Sequence, residues 1–91
     1  MRVSWTSKAL GDLARLHAFL APVNPRAAAV VVQKLSAAPQ VLLTQPRIGA
    51  PLPEFAPRDV RRLIVGDYEL RYELAGEVAF VVRLWHVREE R

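Results

Sequence analysis

His86 and Arg88 are the two side chains of this 91-residue chain whose types and spacing could carry proton-transfer chemistry. They stand two apart at the end of an apolar run, where an imidazole beside a guanidinium can act as general acid or base next to a stabilising positive charge. The competing reading of His86 is structural or interfacial, and it is the one adopted. His17 lies in a helical pattern and reads as a solvated or helix-packing residue. No spacing of His, Asp and Glu matches a metal site, and the two histidines would make an isolated pair. With no cysteine, thiolate metal sites, a cysteine nucleophile and disulfides are excluded. Gly49 reads as a turn position needing an unusual φ, because the glycine spacing of a phosphate-cradling loop is absent. No cofactor is implied.

A sheet must hold these residues, and the stretch Val60 to Arg88 reads as three successive strands. Tyr68, Leu70, Tyr72 and Leu74 alternate with Glu69, Arg71 and Glu73, the period-two pattern of a strand with one buried and one wetter face. Val60 to Val65 precedes it across a two-residue Gly66-Asp67 turn, pairing Val65 with Tyr68, Leu63 with Leu70 and Arg61 with Tyr72. Val78 to Val87 is nearly continuous apolar sequence and reads as an interior strand covered on both faces. A three-residue loop Ala75-Gly76-Glu77 would set Leu74 opposite Val78, Tyr72 opposite Phe80, Leu70 opposite Val82 and Glu69 opposite Arg83, which keeps apolar pairs together. The wetter face then carries Arg62, Arg71, Arg83 and Trp85 with Glu69 and Glu73. Those arginines either bind an acidic partner segment or neutralise the two glutamates in a surface network worth little.

Upstream, Arg2 to Trp5 is a short strand, and Thr6 or Ser7 caps a helix of roughly fourteen residues with Ala9, Leu13, Leu16 and Leu20 on its apolar stripe, widened by Leu10 and Phe19. The helix stops before Pro22, and Asn24-Pro25 opens a second one as cap and first position. Ala28, Val31, Leu35, Ala38 and Leu42 form its stripe. Pro39 removes a backbone bond to Leu35, at a cost of about 3 kcal/mol in a regular helix, so a kink or break is expected near Ala38. Residues 45 to 57 hold prolines at 46, 51, 53 and 57 and read as an irregular connection without strand or helix. The expectation is one α+β domain over residues 1–91, strand–helix–helix–strand–strand–strand, with a helical hairpin on one face of a mainly antiparallel four-stranded sheet.

The chain is small enough that only roughly 60 to 65% of its unfolded surface would be buried, so a partner could matter to its stability. No run approaches the ~18 apolar residues of a membrane span, and the first residues lack an apolar signal core, so a cytoplasmic protein with no membrane role is expected. Net charge is +4. Residues 1 to 53 hold six cations against the single Asp12, giving +5, and the remainder is −1. Such a balance favours an acidic protein segment or nucleic acid without choosing between them. Arginine outnumbers lysine eleven to two, which suits bidentate recognition of carboxylate or phosphate and equally reflects nothing more than a GC-rich genome.

The element order, with Trp5-Thr6, Asp12-Leu13, Asn24-Pro25, Pro46 to Gly49, Arg61 to Leu63, Tyr68, Tyr72 and the ending Leu84-Trp85-His86-Val87-Arg88, resembles the RelE/ParE toxin superfamily, ParE more than RelE. The resemblance implies the toxin of a type II toxin–antitoxin pair, held inactive in a hetero-oligomer by a cognate antitoxin, ParD-like or other. ParE-type members poison DNA gyrase. RelE-type members cut messenger RNA on the ribosome, and that alternative would use Arg61, Arg62, His86 and Arg88 as catalytic groups. Metal-free RNA cleavage needs groups to take the 2′-OH proton, stabilise the phosphorane and protonate the leaving oxygen. RelE-like nucleases place an arginine after the first tyrosine of the middle strand, where this chain has Glu69, whose charge would repel a phosphate. The basic cluster before the hairpin is thin, with Arg58, Arg61 and Arg62 and no lysine, and no tyrosine follows Tyr72. Arg88 does match the arginine near the end of the last strand. The resemblance therefore implies a gyrase-binding inhibitor that makes no sequence-specific DNA contact. Leu13, Leu16, Arg62, Arg71, Arg83, Trp85, His86 and Arg88 form its target or antitoxin interface, and a degenerate toxin that keeps only antitoxin binding is the blander form of the same reading.

Overall fold

A computed structural model describes residues 1–89 of the chain. Strand β1 (Arg2–Trp5) leads into helix α1 (Ser7–Leu20), helix α2 (Pro25–Ala37), a short strand β2 (Ala50–Pro51) and the strands β3 (Asp59–Val65), β4 (Tyr68–Ala75) and β5 (Val78–His86). The sheet order is β1-β5-β4-β3-β2, with β1 parallel to β5 and the other neighbours antiparallel. Both helices lie on one face of this sheet, and Ala9, Leu16, Leu35, Leu42, Leu70, Tyr72, Ala79, Val81 and Leu84 form the buried core between them. The expected α+β class holds, with five described strands in place of four.

Local chemistry sets the helix limits. Thr6 Oγ1 accepts the Ala9 N–H at 3.1 Å, and Asn24 Oδ1 accepts the Ala27 N–H at 3.0 Å with Pro25 in the first turn. Pro39 ends α2 as expected: the chain tightens at Ala38 into a 3-10 segment, Ala38–Leu43, that keeps Pro39 and Leu42 buried. Ala28 is fully buried, so at this point α2 meets its neighbours with only a methyl group between them.

Three expectations need correction. The turn between β4 and β5 is Gly76-Glu77, with Gly76 at φ 59°, so Ala75 faces Val78, Leu74 faces Ala79 and Tyr72 faces Val81. Continued unchanged, this register would turn Arg83 toward the core opposite Leu70. A bulge inserts Val82 between the Tyr72–Val81 and Arg71–Arg83 pairs and flips the parity, so that Leu84 points inward and Arg83 and Trp85 outward. Glu69 consequently faces Trp85, not Arg83. Second, residues 45 to 57 are not wholly irregular: Ala50 and Pro51 pair with Arg62 and Arg61, and Pro53–Phe55 makes a 3-10 turn. A proline is tolerated there because β2 is the sheet edge.

Third, Gly49 does not adopt positive φ; among the described residues only Gly66 and Gly76 do. It is glycine because Tyr72 crowds it. A Cβ at Gly49 would sit 2.7 Å from Tyr72 Cε1 and Oη and 2.8 Å from the Arg62 carbonyl. The buried Tyr72 hydroxyl accepts the Gly49 N–H at 2.9 Å and donates to the Pro46 carbonyl at 2.7 Å, while Arg61 donates to the carbonyls of Arg47 and Gly49. Two side chains of the sheet thus lay the proline-rich loop along β3. Tyr72→Phe should lower unfolding free energy by about 1–3 kcal/mol through the orphaned Gly49 N–H, and Gly49→Ala by about 1–3 kcal/mol through overpacking. Because both act on one contact, denaturant unfolding of the double variant should show less than the sum; strict additivity would contradict this account.

Candidate functional site

Strand β5 has a neighbour on its outer side only as far as Val81, where β1 ends. Beyond that point the open edge is met by side chains of α1 and its N-cap. Thr6 Oγ1 donates to the Val82 carbonyl at 3.3 Å, Asp12 Oδ2 accepts the Leu84 N–H at 2.9 Å, and Arg15 Nη2 donates to the Leu84 carbonyl at 3.2 Å. At Val82 and Leu84 these polar side chains do what a further strand would have done. Asp12 is only 5% exposed. Its carboxylate also takes a two-point contact from Arg83, with Nε at 2.8 Å and Nη2 at 3.2 Å, and one from Arg15 at 3.3 Å. Burial alone would raise its pKa, but the hydrogen bonds from Arg83, Leu84 and Arg15 and the charge of Arg83 outweigh burial and hold it below the ordinary value.

This clamp fixes one wall of an apolar groove of 470 Å³ near the turn end of the helical hairpin, lined by Arg15, Leu16, Phe19, Leu20, Tyr68, His86, Arg88 and Glu89. Phe19 is 79% exposed at its mouth. The His86 and Tyr68 rings meet edge to face, with centroids 5.2 Å apart, and His86 Nδ1 accepts the Arg88 backbone N–H at 3.1 Å. Burial, with the charges of Asp67 and Glu89, raises the Tyr68 pKa, which keeps the phenol neutral. Arg15 bridges the groove to Glu89 at 2.6 Å.

The residues singled out from the sequence divide among several places. Leu16, His86 and Arg88 meet in the groove, whereas Leu13 packs against the core and Leu16 is itself 3% exposed. Arg62, Arg71, Arg83 and Trp85 lie on the opposite face of the sheet. There Glu69, nearly fully buried, receives Arg71 Nε at 2.9 Å and has Arg62 at 3.9 Å. Trp85 is covered by the guanidinium groups of Arg71 and Arg83, 4.7 and 4.8 Å from its ring centroid. Arg61 is committed to Asp59 at 2.9 Å and to the loop carbonyls. Arg61 and Arg62 do not join His86 and Arg88. His86 is level with Tyr68 and Val65, so Arg61 lies about 13 Å along the strand and about 10 Å across two strand spacings from it. Among the described residues no three His, Asp or Glu side chains are placed to hold a metal ion.

Sequence reasoning passed over Asp12, Phe19 and Tyr68 as functional positions. Asp12 carried a signal, being the only acid among the first 53 residues and standing on a helix face otherwise expected to be apolar. Asp12→Ala should lower unfolding free energy by about 1.5–3 kcal/mol, the range for hydrogen bonds to charged groups. Asp12→Asn, which keeps an acceptor for Leu84 but loses the charge, should fall between it and the parent. Hydrogen exchange should show the Leu84 amide losing protection in the alanine variant; unchanged protection would mean the clamp is incidental.

Comparison with known proteins agrees with this architecture. Among the described residues no helix is long and apolar enough to cross a membrane. No curated protein matches the chain. A solved structure from the chromosomal ParDE TA system of P. aeruginosa superposes with a TM-score of 0.79 at 24% identity, over 94% of this chain and 95% of that one, which establishes likeness of fold. The family model for the ParE toxin of the type II toxin–antitoxin system parDE matches residues 3–91. Its span covers both the Asp12 clamp and the groove, and the chain belongs to the ParE toxin family.

Proposed function

We propose that this toxin acts by binding and not by bond breaking: it inhibits DNA gyrase in the cytoplasm, and a cognate antitoxin neutralises it by occupying the apolar groove near the turn end of the helical hairpin. The observation that carries this reading is the dispersal of the groups a nuclease would need. His86 and Arg88 open onto an apolar groove beside Phe19 and Leu20, while Arg61 and Arg62 are tied to Asp59, loop carbonyls and Glu69 elsewhere on the sheet. General acid–base catalysis needs its groups within hydrogen-bond reach of one reacting centre, directly or through a water. An apolar groove with an exposed phenylalanine instead suits a folding-upon-binding segment, which gains its affinity from buried apolar area.

The RelE-like alternative, cleavage of ribosome-bound messages, keeps one point in its favour in the Arg88 match. Purified toxin titrated into gyrase should abolish supercoiling. After induction in cells, the 5′ ends of translated messages should show no codon-positioned cuts. His86→Ala should change gyrase inhibition only as far as it changes folding or docking. Codon-positioned cuts with supercoiling unaffected, falling by about 10²-fold or more in His86→Ala or Arg88→Ala at unchanged antitoxin affinity, would overturn the proposal.

A further inference from the structure

The sheet face opposite the helical hairpin carries a second groove, of 740 Å³, between the start of α1 and the 3-10 turn at Phe55. Val60, Val82, Phe55 and Trp85 give it an apolar floor, and Lys8, Arg58, Arg71 and Arg83 surround that floor with no carboxylate among the lining residues. The acids that pair with these arginines stand outside the groove and hold the guanidinium groups in place. Glu73 takes Arg58 through Nε and Nη2 at 3.0 and 2.7 Å, Glu69 takes Arg71 through Nε, and Asp12 takes Arg83. Arg71 is further fixed by lying over both Trp85 and Phe55. Lys8 forms no ion pair among the described residues. A guanidinium already oriented by stacking and one carboxylate loses little freedom when a second carboxylate arrives.

We propose that this face is a docking surface for an acidic peptide segment of a partner protein, whose carboxylates meet Lys8, Arg58, Arg71 and Arg83 and whose apolar side chains meet Val60, Val82 and Phe55. The charge of the rim calls for an anionic occupant, and the floor decides which kind. Single-stranded nucleic acid binds through bases stacked on open aromatic rings, whereas Trp85 is 6% exposed and already covered by Arg71 and Arg83. Aliphatic peptide side chains need no open ring and fit the valine floor. The surface is on the other side of the sheet from the hairpin groove, so the inference does not depend on gyrase being the target.

The test titrates a short glutamate-rich peptide with spaced leucines into the intact protein by calorimetry, beside its glutamine counterpart and an oligothymidylate. The acidic peptide should bind saturably and the glutamine peptide should not. Lys8→Glu/Arg58→Glu should weaken binding about tenfold or more, whereas Arg26→Glu/Lys34→Glu, which changes net charge equally on α2, should shift it by about twofold or less. Equal weakening by the two double variants would reduce the effect to overall charge and overturn the proposal. So would tighter binding of the oligothymidylate, or no saturable binding of the acidic peptide. Lys8→Glu alone breaks no described ion pair and carries the same test, with a smaller loss expected, should Arg58→Glu fail to fold.

Discussion

One buried carboxylate organises the working half of this molecule. Strand β1 is too short to flank β5 along its length, and an open β5 edge would leave Leu84 with an unpaired amide beneath a helix. Asp12 supplies the missing acceptor, and in doing so places a negative charge where water cannot solvate it. Arg83 and Arg15 then become necessary rather than decorative, since an unpaired buried charge would be far more costly than the bond to Leu84 is favourable. The bulge at Val82 belongs to the same arrangement, because it turns Arg83 out of the core to meet the carboxylate from the side.

From that anchor the two grooves follow. On the helix side, the clamp sets the distance between α1 and β5 and leaves Phe19, Leu20, Tyr68 and His86 around an apolar opening. On the far side, the outward-turned Arg83 covers one side of Trp85, Arg71 covers another, and buried Glu69 orients Arg71. Tyr72 performs the corresponding task at the other sheet edge, where its hydroxyl fastens the proline-rich loop. Charged residues that look like a binding cluster in the sequence are therefore largely partnered inside the protein, and what they offer a ligand is their remaining edges.

Much of this was legible in the residues themselves. Alternation in Tyr68 to Leu74, the Gly66-Asp67 turn, the caps at Thr6 and Asn24 and the break at Pro39 are local effects, and each appears where local chemistry puts it. The β4–β5 register was not legible, because it depends on a bulge whose purpose, sending Arg83 outward, exists only once α1 is docked. Strand β2 and the reason for Gly49 were hidden for a similar cause: both depend on Tyr72 and Arg61 reaching a loop more than ten residues away in sequence. Asp12 was visible as a lone acid in a basic segment, but Arg83 and Leu84, which it joins to α1, lie 71 and 72 residues on, and no periodicity connects them to it.

The most direct measurement is the titration of the Asp12 carboxyl followed by carbon NMR. Burial opposes ionisation here, but the bonds from Arg83, Leu84 and Arg15 favour it more strongly, so the folded pKa lies below the ordinary 3.8. A depressed folded value means that the stabilisation is complete above the unfolded pKa and disappears as pH falls through the folded one. The expected midpoint lies below 3.8, with unfolding free energy falling over the same acid range in the parent and more weakly in Asp12→Asn. A midpoint at or above 3.8, with parent and variant losing stability alike, would show that burial dominates and that Asp12 does not hold the helix to the sheet.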